Sequence, residues 1–390
     1  MRRQHGFSLI ELTIAMAVML TVTASIFSLM NPAQGTFSAQ PEVSDMQQRL
    51  RVATDTLSKD LVMTGGGAYQ GSMGGSLGNY FASVLPRRVG STNEDGPTVF
   101  KTDTITLIYV PPTIAQTTLA VHGPSLNSAE IGVNAEPGCP VGDDLCGFKT
   151  GMTVMMYDAS GNYDIFTITN VQANALHLQH NSDSLTYTGY DANTTKIVQA
   201  SNFVYYLNTA TDQLMFYNGG TGADVPVVDN VVGLTFEYYG DPQPPTWRPG
   251  KAVSDTTGPW TSYGPKPSAI AVAPFAAGEN CTFINDGSPT PASRLASLGV
   301  MGSGLVKLTA AQLTDGPWCP NATSLNRWDA DLLRVRKIGV TVRVQSAAAS
   351  LRGPAGALFT RAGTSRSGER FVPDQEIRFQ VAPRNLNLGR

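Results

Sequence analysis

The sequence predicts an α+β protein in which one long N-terminal helix packs on an antiparallel β-sheet with long loop insertions. Three observations support this class. An apolar run lies near the N-terminus, an apolar stripe at helical spacing follows it, and several later segments alternate apolar and polar residues. Strands and helices do not alternate along the chain, so a doubly wound parallel sheet is a poor fit.

The composition is that of a folded chain with an uneven charge distribution. The 390 residues are 42% apolar and 15% charged, with a net charge of −3, which excludes a wholly disordered protein. The segment 331–390 holds 11 basic and 4 acidic residues, a local charge of +7, and 1–330 therefore carries −10. The N-terminal apolar run contains a single formal charge, at Glu11.

The first element is a membrane-length helix over residues 7–30. A helix of this length reaches about 36 Å, enough to cross a hydrocarbon core of about 30 Å. Arg2 and Arg3 precede it, so the positive-inside rule places the N-terminus in the cytoplasm. A secretory signal peptide and a plain signal anchor are the alternatives. The run is longer than a signal peptide requires, and neither alternative explains Glu11.

Glu11 needs a charged partner because a carboxylate inside an apolar helix is costly, about 2.5–3.5 kcal/mol at a membrane centre. If the chain is cut after Gly6, Phe7 carries a free α-amino group one helical turn from Glu11. The helix N-terminus also favours a negative charge. The carboxylate and an α-ammonium group can then neutralise each other, within one chain or between adjacent chains.

The segment Gly6-Phe7-Ser8-Leu9-Ile10-Glu11-Leu12 resembles the type IV prepilin signal, and two basic residues precede it as in that family. The resemblance implies cleavage between Gly6 and Phe7 by a prepilin peptidase. It also implies N-methylation of Phe7 and a role for Glu11 in guiding subunits into a filament. The leader is then 1–6, and 7–30 is the transmembrane and assembly helix.

The second half of the long helix occupies 31–67. Prolines at 32 and 41 predict that the helix is kinked or melted between them. From Glu42 an apolar stripe returns at three- and four-residue spacing, and three glycines from Gly65 end it. We expect the charged residues of this part to lie on a solvated face; they are Asp45, Arg49, Asp55, Lys59 and Asp60.

Residues 68–390 form the predicted exposed β-rich domain. Period-two alternation indicates strands near 105–109, 152–156, 165–168, 232–238, 338–344 and 377–381, and turn signals lie at 160–162 and 218–220. Segments 68–95 and 240–328 are rich in Gly, Pro and Ser and read as loop insertions, which are usually functional or mobile when this long.

Parts of the chain also resemble PilW-type minor pilins. Near the C-terminus, Pro383-Arg384-Asn385 is similar to that family's P-R-N element. The helix positions that match the family are Gln47, Arg49, Leu50, Arg51, Ala53, Leu57, Asp60, Leu61 and Gly65. The resemblance implies a non-enzymatic minor pilin that helps initiate or cap a type IV pilus, used in twitching motility, adhesion and DNA uptake. It also implies a single-pass protein of the inner membrane, with its C-terminal domain in the periplasm before it reaches the surface pilus.

The partners that this resemblance implies are the prepilin peptidase and N-methyltransferase, other major and minor pilins, the inner-membrane assembly platform and membrane lipid. Two alternatives stay open. One is a J-type pseudopilin of type II secretion, and the other is a tip adhesin or DNA-binding module carried on a pilin anchor. The basic C-terminal block could contact nucleic acid, or it could complement the acidic remainder of the chain. No interleaved aromatic pattern supports DNA binding.

The four cysteines suit an oxidising compartment outside the cytoplasm. Of three possible connectivities we favour the local one, Cys139–Cys146 and Cys281–Cys319. A zinc site is the alternative, but the spacings do not match zinc motifs.

Motifs for catalysis and metals are weak. H-E-x-x-H and Walker A motifs are absent, and the one G-x-S-x-G, at 74–78, lies in a Gly/Ser-rich loop. We therefore expect that the protein is not an enzyme and has no catalytic residue, and that it binds no metal and no cofactor. Asp158 and Asp164 share a segment that resembles part of a calcium loop, but a polar hairpin turn is the better interpretation. His177 and His180 fall on opposite faces of a predicted strand.

Overall fold

The computed structural model describes residues 8–69, 73–120, 130–136, 138–172, 175–178, 189–192, 194–252, 255, 260–365 and 371–387. Helix α1 spans Leu9–Met63. It continues without a break through the segment bounded by the two prolines, so the prediction of melting there is wrong. A proline removes one backbone hydrogen bond of the helix, and the long helical stretches on both sides maintain the helical conformation.

The end of α1 matches the prediction. Gly65 takes a left-handed φ of 79°, and its N–H donates to the Ile108 carbonyl at 3.0 Å. A Cβ added at Gly65 would lie 2.5 Å from Leu386 Cδ2, so glycine meets both the conformational and the steric requirement.

The rest of the described chain is built from short strands. In chain order they are β1 Val84–Leu85, β2 Thr104–Tyr109, β3 Gln116–Thr118, β4 Glu130–Gly132, β5 Thr153–Tyr157, β6 Tyr163–Gln172, β7 Ala175–Leu178, β8 Lys196–Gln199, β9 Ser201–Asn208, β10 Gln213–Tyr217, β11 Val225–Asp229, β12 Val231–Gly240, β13 Phe283–Ile284, β14 Ala292–Ser293, β15 Val306–Leu308, β16 Trp318–Cys319, β17 Trp328–Asp329, β18 Val335–Val344 and β19 Gln375–Val381. Short 3-10 helices span Leu77–Asn79, Ala311–Leu313, Ala330–Arg334, Ala349–Leu351 and Arg384–Asn387.

These strands form three larger sheets and two small hairpins. The first sheet has the order β1-β2-β9-β10-β11, the second β3-β8-β5-β6-β7-β4 and the third β15-β12-β18-β19. Every neighbouring pair in the first two sheets is antiparallel, as is β12 with β15. The predicted strands are therefore found, and the structure is an α+β pilin-like fold. The sequence did not reveal that they divide among several sheets.

The described chain folds as two compact units, 1–51 with 343–376 and 52–342 with 377–390. In the larger unit, Leu57 and Leu61 of α1 are fully buried. Burying a leucine side chain contributes about 1.5–3 kcal/mol, so these two residues hold this part of the helix in the fold. The second sheet has its own apolar core, which includes Val154, Phe166 and Ile197.

The insertion 240–328 is partly ordered by short strands rather than being one open loop. β13 pairs with β14, β16 pairs with β17, and β15 returns to the edge of the third sheet. A disulfide between Cys281 and Cys319 joins two of these pieces. The insertion is therefore a folded elaboration of the larger unit.

Candidate functional site

The N-terminus of α1 is closed by two side-chain hydrogen bonds, one made by Glu11 and one by Ser8. The Ser8 N–H donates to Glu11 Oε2 at 3.1 Å, and the Ile10 N–H donates to Ser8 Oγ at 3.3 Å. The first bond is the one found in a capping box, in which an acidic residue three positions after the cap satisfies a backbone donor that the helix cannot. The Ser8 hydroxyl accepts from the residue two positions on instead of three. The negative charge also lies at the positive end of the helix dipole.

A charged partner is what the sequence predicts for Glu11, and this local role was not predicted. The signal was present, because S-x-x-E directly before an apolar run is the pattern of a capping box. Gly6 and Phe7, the predicted cleavage and methylation residues, lie outside the described residues. The carboxylate of Glu11 is therefore positioned in the first turn, and its pairing with an α-amino group stays a prediction.

The helix beyond Glu11 presents an apolar surface on all sides. Leu9–Met30 is long and apolar enough to cross a membrane, and none of this segment is buried within the protein. Leu9 is 81% exposed and Phe27 is 67% exposed. A helix that is apolar all round is stable only inside lipid or among other apolar helices. Its surroundings must therefore come from outside this chain.

Asp60 is the residue whose environment was predicted incorrectly. It is only 5% exposed, not part of a solvated face. The hydroxyl of Tyr109 on β2 donates to Asp60 Oδ1 at 3.2 Å, and the hydroxyl of Tyr205 on β9 donates to Oδ2. The spacing could have shown this, since Asp60 follows the buried Leu57 by three residues and so lies on the same side of α1.

The buried carboxylate changes the titration of both tyrosines. Burial, together with the Asp60 charge, raises the pKa of Tyr109 to about 12. Burial and the hydrogen bond to Asp60 raise the pKa of Tyr205 well above its ordinary value. Both hydroxyls therefore remain protonated donors, and Asp60 connects α1 to two strands of the first sheet.

Both predicted disulfides are present. The Cα atoms of Cys139 and Cys146 lie 5.6 Å apart, and those of Cys281 and Cys319 lie 5.1 Å apart. Glu136 approaches the first pair and could in principle complete a metal-ligand set. Because both sulfur atoms are committed to the disulfide, this set is not available to a metal. Burial raises the pKa of the Glu136 carboxyl.

The segment considered for calcium forms a tight turn between β5 and β6. Asp158 Oδ1 accepts from the N–H groups of Ser160 and Asn162, and Oδ2 accepts from Asn162 Nδ2 at 2.7 Å. The hydroxyl of Tyr190 donates to Asp164 Oδ2 at 2.8 Å. Burial raises the pKa of Asp158 to about 6. These contacts support the hairpin interpretation, and the expectation that no metal binds here stays a prediction.

Two other motifs have plain structural places. Ser76, in the G-x-S-x-G segment, caps the short helix Leu77–Asn79 by accepting from the Gly78 N–H. A nucleophile elbow requires a helix directly after the nucleophile, and only a three-residue 3-10 helix follows Ser76. His177 lies on β7 opposite Glu130, and His180 lies outside the described residues.

The basic C-terminal block is largely committed to internal contacts. Arg334 is fully buried and pairs with Asp331, and it also donates to three backbone carbonyls. Arg336 is buried over the Tyr263 ring at 4.8 Å. Arg334 ends the 3-10 helix Ala330–Arg334, directly before β18.

Further along this block, Arg343 pairs with Asp374 at 3.0 Å, and Arg352 donates to Gln345 Oε1 at 2.8 Å. Arg366 and Arg370 lie outside the described residues. Both ion pairs join residues of the block itself, so they do not show the expected complementarity with the acidic segment 1–330. They favour a structural role over an open nucleic-acid surface, because guanidinium groups already paired inside the protein are poorly placed for phosphates.

Residues 1–27 match the family model described as the prokaryotic N-terminal methylation motif. No curated protein and no solved structure matches the chain. The motif, the apolar N-terminal helix and the antiparallel sheets together support a type IV pilin-like protein. Such a motif implies processing by a prepilin peptidase and assembly with other pilins. Proteins of this motif family are structural rather than enzymatic.

Proposed function

We propose that this chain is a PilW-like minor pilin, a structural subunit that helps initiate or cap the assembly of a type IV pilus. Before assembly it spans the inner membrane once through α1, and its β-rich domain lies in the periplasm. Its functions would be in twitching motility and adhesion. A J-type pseudopilin of type II secretion has the same anchor and is the nearest alternative.

One observation carries this proposal: a fully exposed apolar helix with one carboxylate in its first turn. Moving the helix from lipid into a bundle of similar helices changes its apolar contacts little. The charge at Glu11 therefore has a large share in deciding where a neighbouring helix docks. A methylated α-ammonium group at Phe7 of an adjacent subunit would be its counter-charge in the filament core.

The capping box provides a way to separate the two roles of Glu11. Glu11→Gln removes the charge but keeps an oxygen that can accept from the Ser8 N–H. Ser8→Ala removes the hydroxyl of the cap and keeps the charge. Glu11→Ala removes both the charge and the side-chain oxygen that accepts from the Ser8 N–H. All three variants keep the apolar run, so membrane insertion should be unchanged.

The test is made with the full-length chain in a piliated host that lacks the native copy. Mass spectrometry should show a mature N-terminus beginning at methylated Phe7 in the wild type and in all variants. Sheared surface filaments should contain the wild type and Ser8→Ala, and should lose Glu11→Gln and Glu11→Ala by at least about tenfold, the effect of about 1.4 kcal/mol. Normal filament incorporation of Glu11→Gln would refute the charge mechanism. A mature peptide beginning at another residue would refute the pilin assignment itself.

A further inference from the structure

A buried lysine of the second sheet has no polar partner, and none of the roles above uses it. Lys196 lies on β8 and is only 6% exposed. Lysine is almost never buried to this degree unless its ammonium group is paired. Within the part of the chain that the structure describes, however, the side chain of Lys196 makes no hydrogen bond, ion pair or ring contact.

The strand that carries Lys196 is held on both sides. β3 and β5 flank β8, and the ends of β3 and β4 meet through a bridge between Leu119 and Val133. The Ala120 N–H also donates to the Gly132 carbonyl at 2.9 Å, so the six strands close into a barrel. A strand in a closed sheet has no free edge and cannot shift to bring a partner to the amine.

The side chain of Lys196 lies on the outer side of this barrel. Ile197, the next residue, belongs to the apolar core inside, and successive side chains of a strand alternate. The residues directly opposite Lys196 are Thr118 on β3 and Tyr157 on β5. Tyr157 is fully buried and its hydroxyl donates to the Met73 carbonyl at 3.3 Å, so it supplies no negative charge to the lysine.

Burial without a counter-charge favours the neutral form of the amine. An ammonium group that is removed from water and left unpaired is strongly destabilised, so the group loses its proton instead. Burial lowers the pKa of Lys196, and no neighbouring charge opposes this effect. At pH 7 an ordinary lysine is neutral in about one molecule in 2,500, and a pKa lower by one raises that fraction about tenfold. The neutral amine is a nucleophile, whereas the protonated form is not.

The opening to the amine decides which reagents reach it. Nζ of Lys196 is not one of the unpartnered polar atoms that are fully enclosed, so it keeps contact with solvent. The small exposed fraction of the residue means that the opening admits small molecules and excludes bulky ones. A charged adduct at this position would be as unfavourable as the ammonium group itself. The reagent must therefore be small and must give an uncharged product.

A short-chain aldehyde meets both conditions. We propose that Lys196 is a modification site for small aldehydes, which it binds reversibly as an imine. The amine nitrogen attacks the carbonyl carbon, a C=N bond replaces the C=O bond, and the carbonyl oxygen leaves as water with the two amine protons. Carbon dioxide is also small, but its adduct is a charged carbamate. The site goes beyond the proposed assembly function, and the reaction does not require the filament.

The test uses the full-length protein in amine-free detergent micelles at about pH 7. Acetaldehyde is added with cyanoborohydride, which reduces each imine to a stable secondary amine, and the reaction is stopped at low conversion. Peptide mass spectrometry gives the relative rate of modification at each of the eight lysines. Pyridoxal, a bulky aromatic aldehyde, is used in a parallel reaction.

Two other lysines serve as internal controls. Lys149 belongs to the same barrel and is exposed. Burial lowers the pKa of Lys266 as well, but its Nζ donates to the Asp255 carbonyl and lies 4.5 Å from the centre of the Trp260 ring. Lys266 therefore distinguishes an unpartnered amine from one that is only less basic.

Acetaldehyde should modify Lys196 at least about tenfold faster than Lys149, the effect of a pKa lower by about one, and also faster than Lys266. With pyridoxal, Lys149 should react faster than Lys196 because the opening excludes the ring. Equal or slower modification of Lys196 by acetaldehyde would overturn the site. Faster modification of Lys196 by both aldehydes would overturn its restriction to small reagents.

Three substitutions test the neutral amine separately from its access to reagents. Arginine is not deprotonated in proteins, so Lys196→Arg places a fixed charge in the buried position and should lower the midpoint of urea unfolding. Lys196→Met is uncharged and should keep or raise the midpoint, and Lys149→Arg should leave it unchanged. An unchanged midpoint in Lys196→Arg would overturn the buried neutral amine. None of these outcomes depends on pilus assembly, so the proposed function is tested separately.

Discussion

Replacing Asp60 by alanine should destabilise the protein because two buried tyrosine hydroxyls lose a charged acceptor. The Asp60 carboxylate accepts from both Tyr109 and Tyr205, and all three residues are buried. A hydrogen bond to a charged group contributes about 1.5–3 kcal/mol, and a buried unsatisfied donor is costly. Asp60 also lies in the last turn of α1, where the helix dipole disfavours a negative charge. That opposing effect reduces the expected loss to about 3 kcal/mol.

The measurement is equilibrium unfolding in urea of the full-length protein in micelles, followed by near-UV circular dichroism. Asp55→Ala is the matched control, since Asp55 is exposed on the same helix, five residues earlier. Its free energy of unfolding should change by no more than about 0.5 kcal/mol. Tyr205→Phe removes one of the two donors and should cost about 1.5 kcal/mol.

A double-mutant cycle then tests the contact itself. Because Asp60→Ala and Tyr205→Phe remove the same hydrogen bond, the double variant should lose less than the sum of the single losses, by about 1–2 kcal/mol. Additive losses would show that the two residues act independently. A loss for Asp60→Ala no larger than that for Asp55→Ala would refute the claim that this carboxylate holds α1 to the first sheet.

The remaining predictions concern pH and the disulfides. Burial raises the pKa of Asp329 to about 7, so the folded state binds more protons than the unfolded state between about pH 4 and 7. The free energy of unfolding therefore falls as pH rises through this window, by about 4 kcal/mol from this one group. Asp329→Asn should remove this part of the pH dependence of the free energy of unfolding, which is measured by urea unfolding at several pH values. An unchanged slope would contradict the assignment. Replacing Cys281 and Cys319 by serine should cost about 4 kcal/mol, and replacing Cys139 and Cys146 about 2.5 kcal/mol, because the longer loop restricts the unfolded chain more. Thermal unfolding of the two variants side by side checks this, and the reverse order would show that native contacts rather than loop length control the difference.

Local patterns were sufficient wherever one segment carried its own information. The apolar run and the stripe through Leu57 and Leu61 each depend on neighbours within two helical turns. The S-x-x-E cap is equally local and could have been predicted in the same way. Alternation along β12 and β19 also indicates the more buried side of each strand, whereas β2 is buried on both sides. The Cys139–Cys146 disulfide is local as well, with a sequence separation of 7, whereas Cys281–Cys319 spans 38 residues. The local features could be predicted because their partners lie close along the chain.

Features that join distant segments were not readable in this way. The sequence placed Arg334 and Arg336 in an excess of positive charge, but only the fold brings distant backbone carbonyls and the Tyr263 ring around them. The division of the strands into three larger sheets also depends on pairings between β2 and β9 or β3 and β8, far apart in the chain. Such pairings are selected by side-chain packing across strands, which a single segment does not encode.

The sequence by itself determined that this protein has a membrane-length helix with one charge, a β-rich domain and a prepilin-type N-terminus, since each of these is written in contiguous residues. Only the tertiary structure decided that Asp60 is a buried acceptor, that the basic block is internally paired, and that Lys196 is buried without a partner among the described residues. The physical reason is that burial and charge pairing depend on which surfaces come together. That is decided by the free energy of the whole chain and not by any one segment.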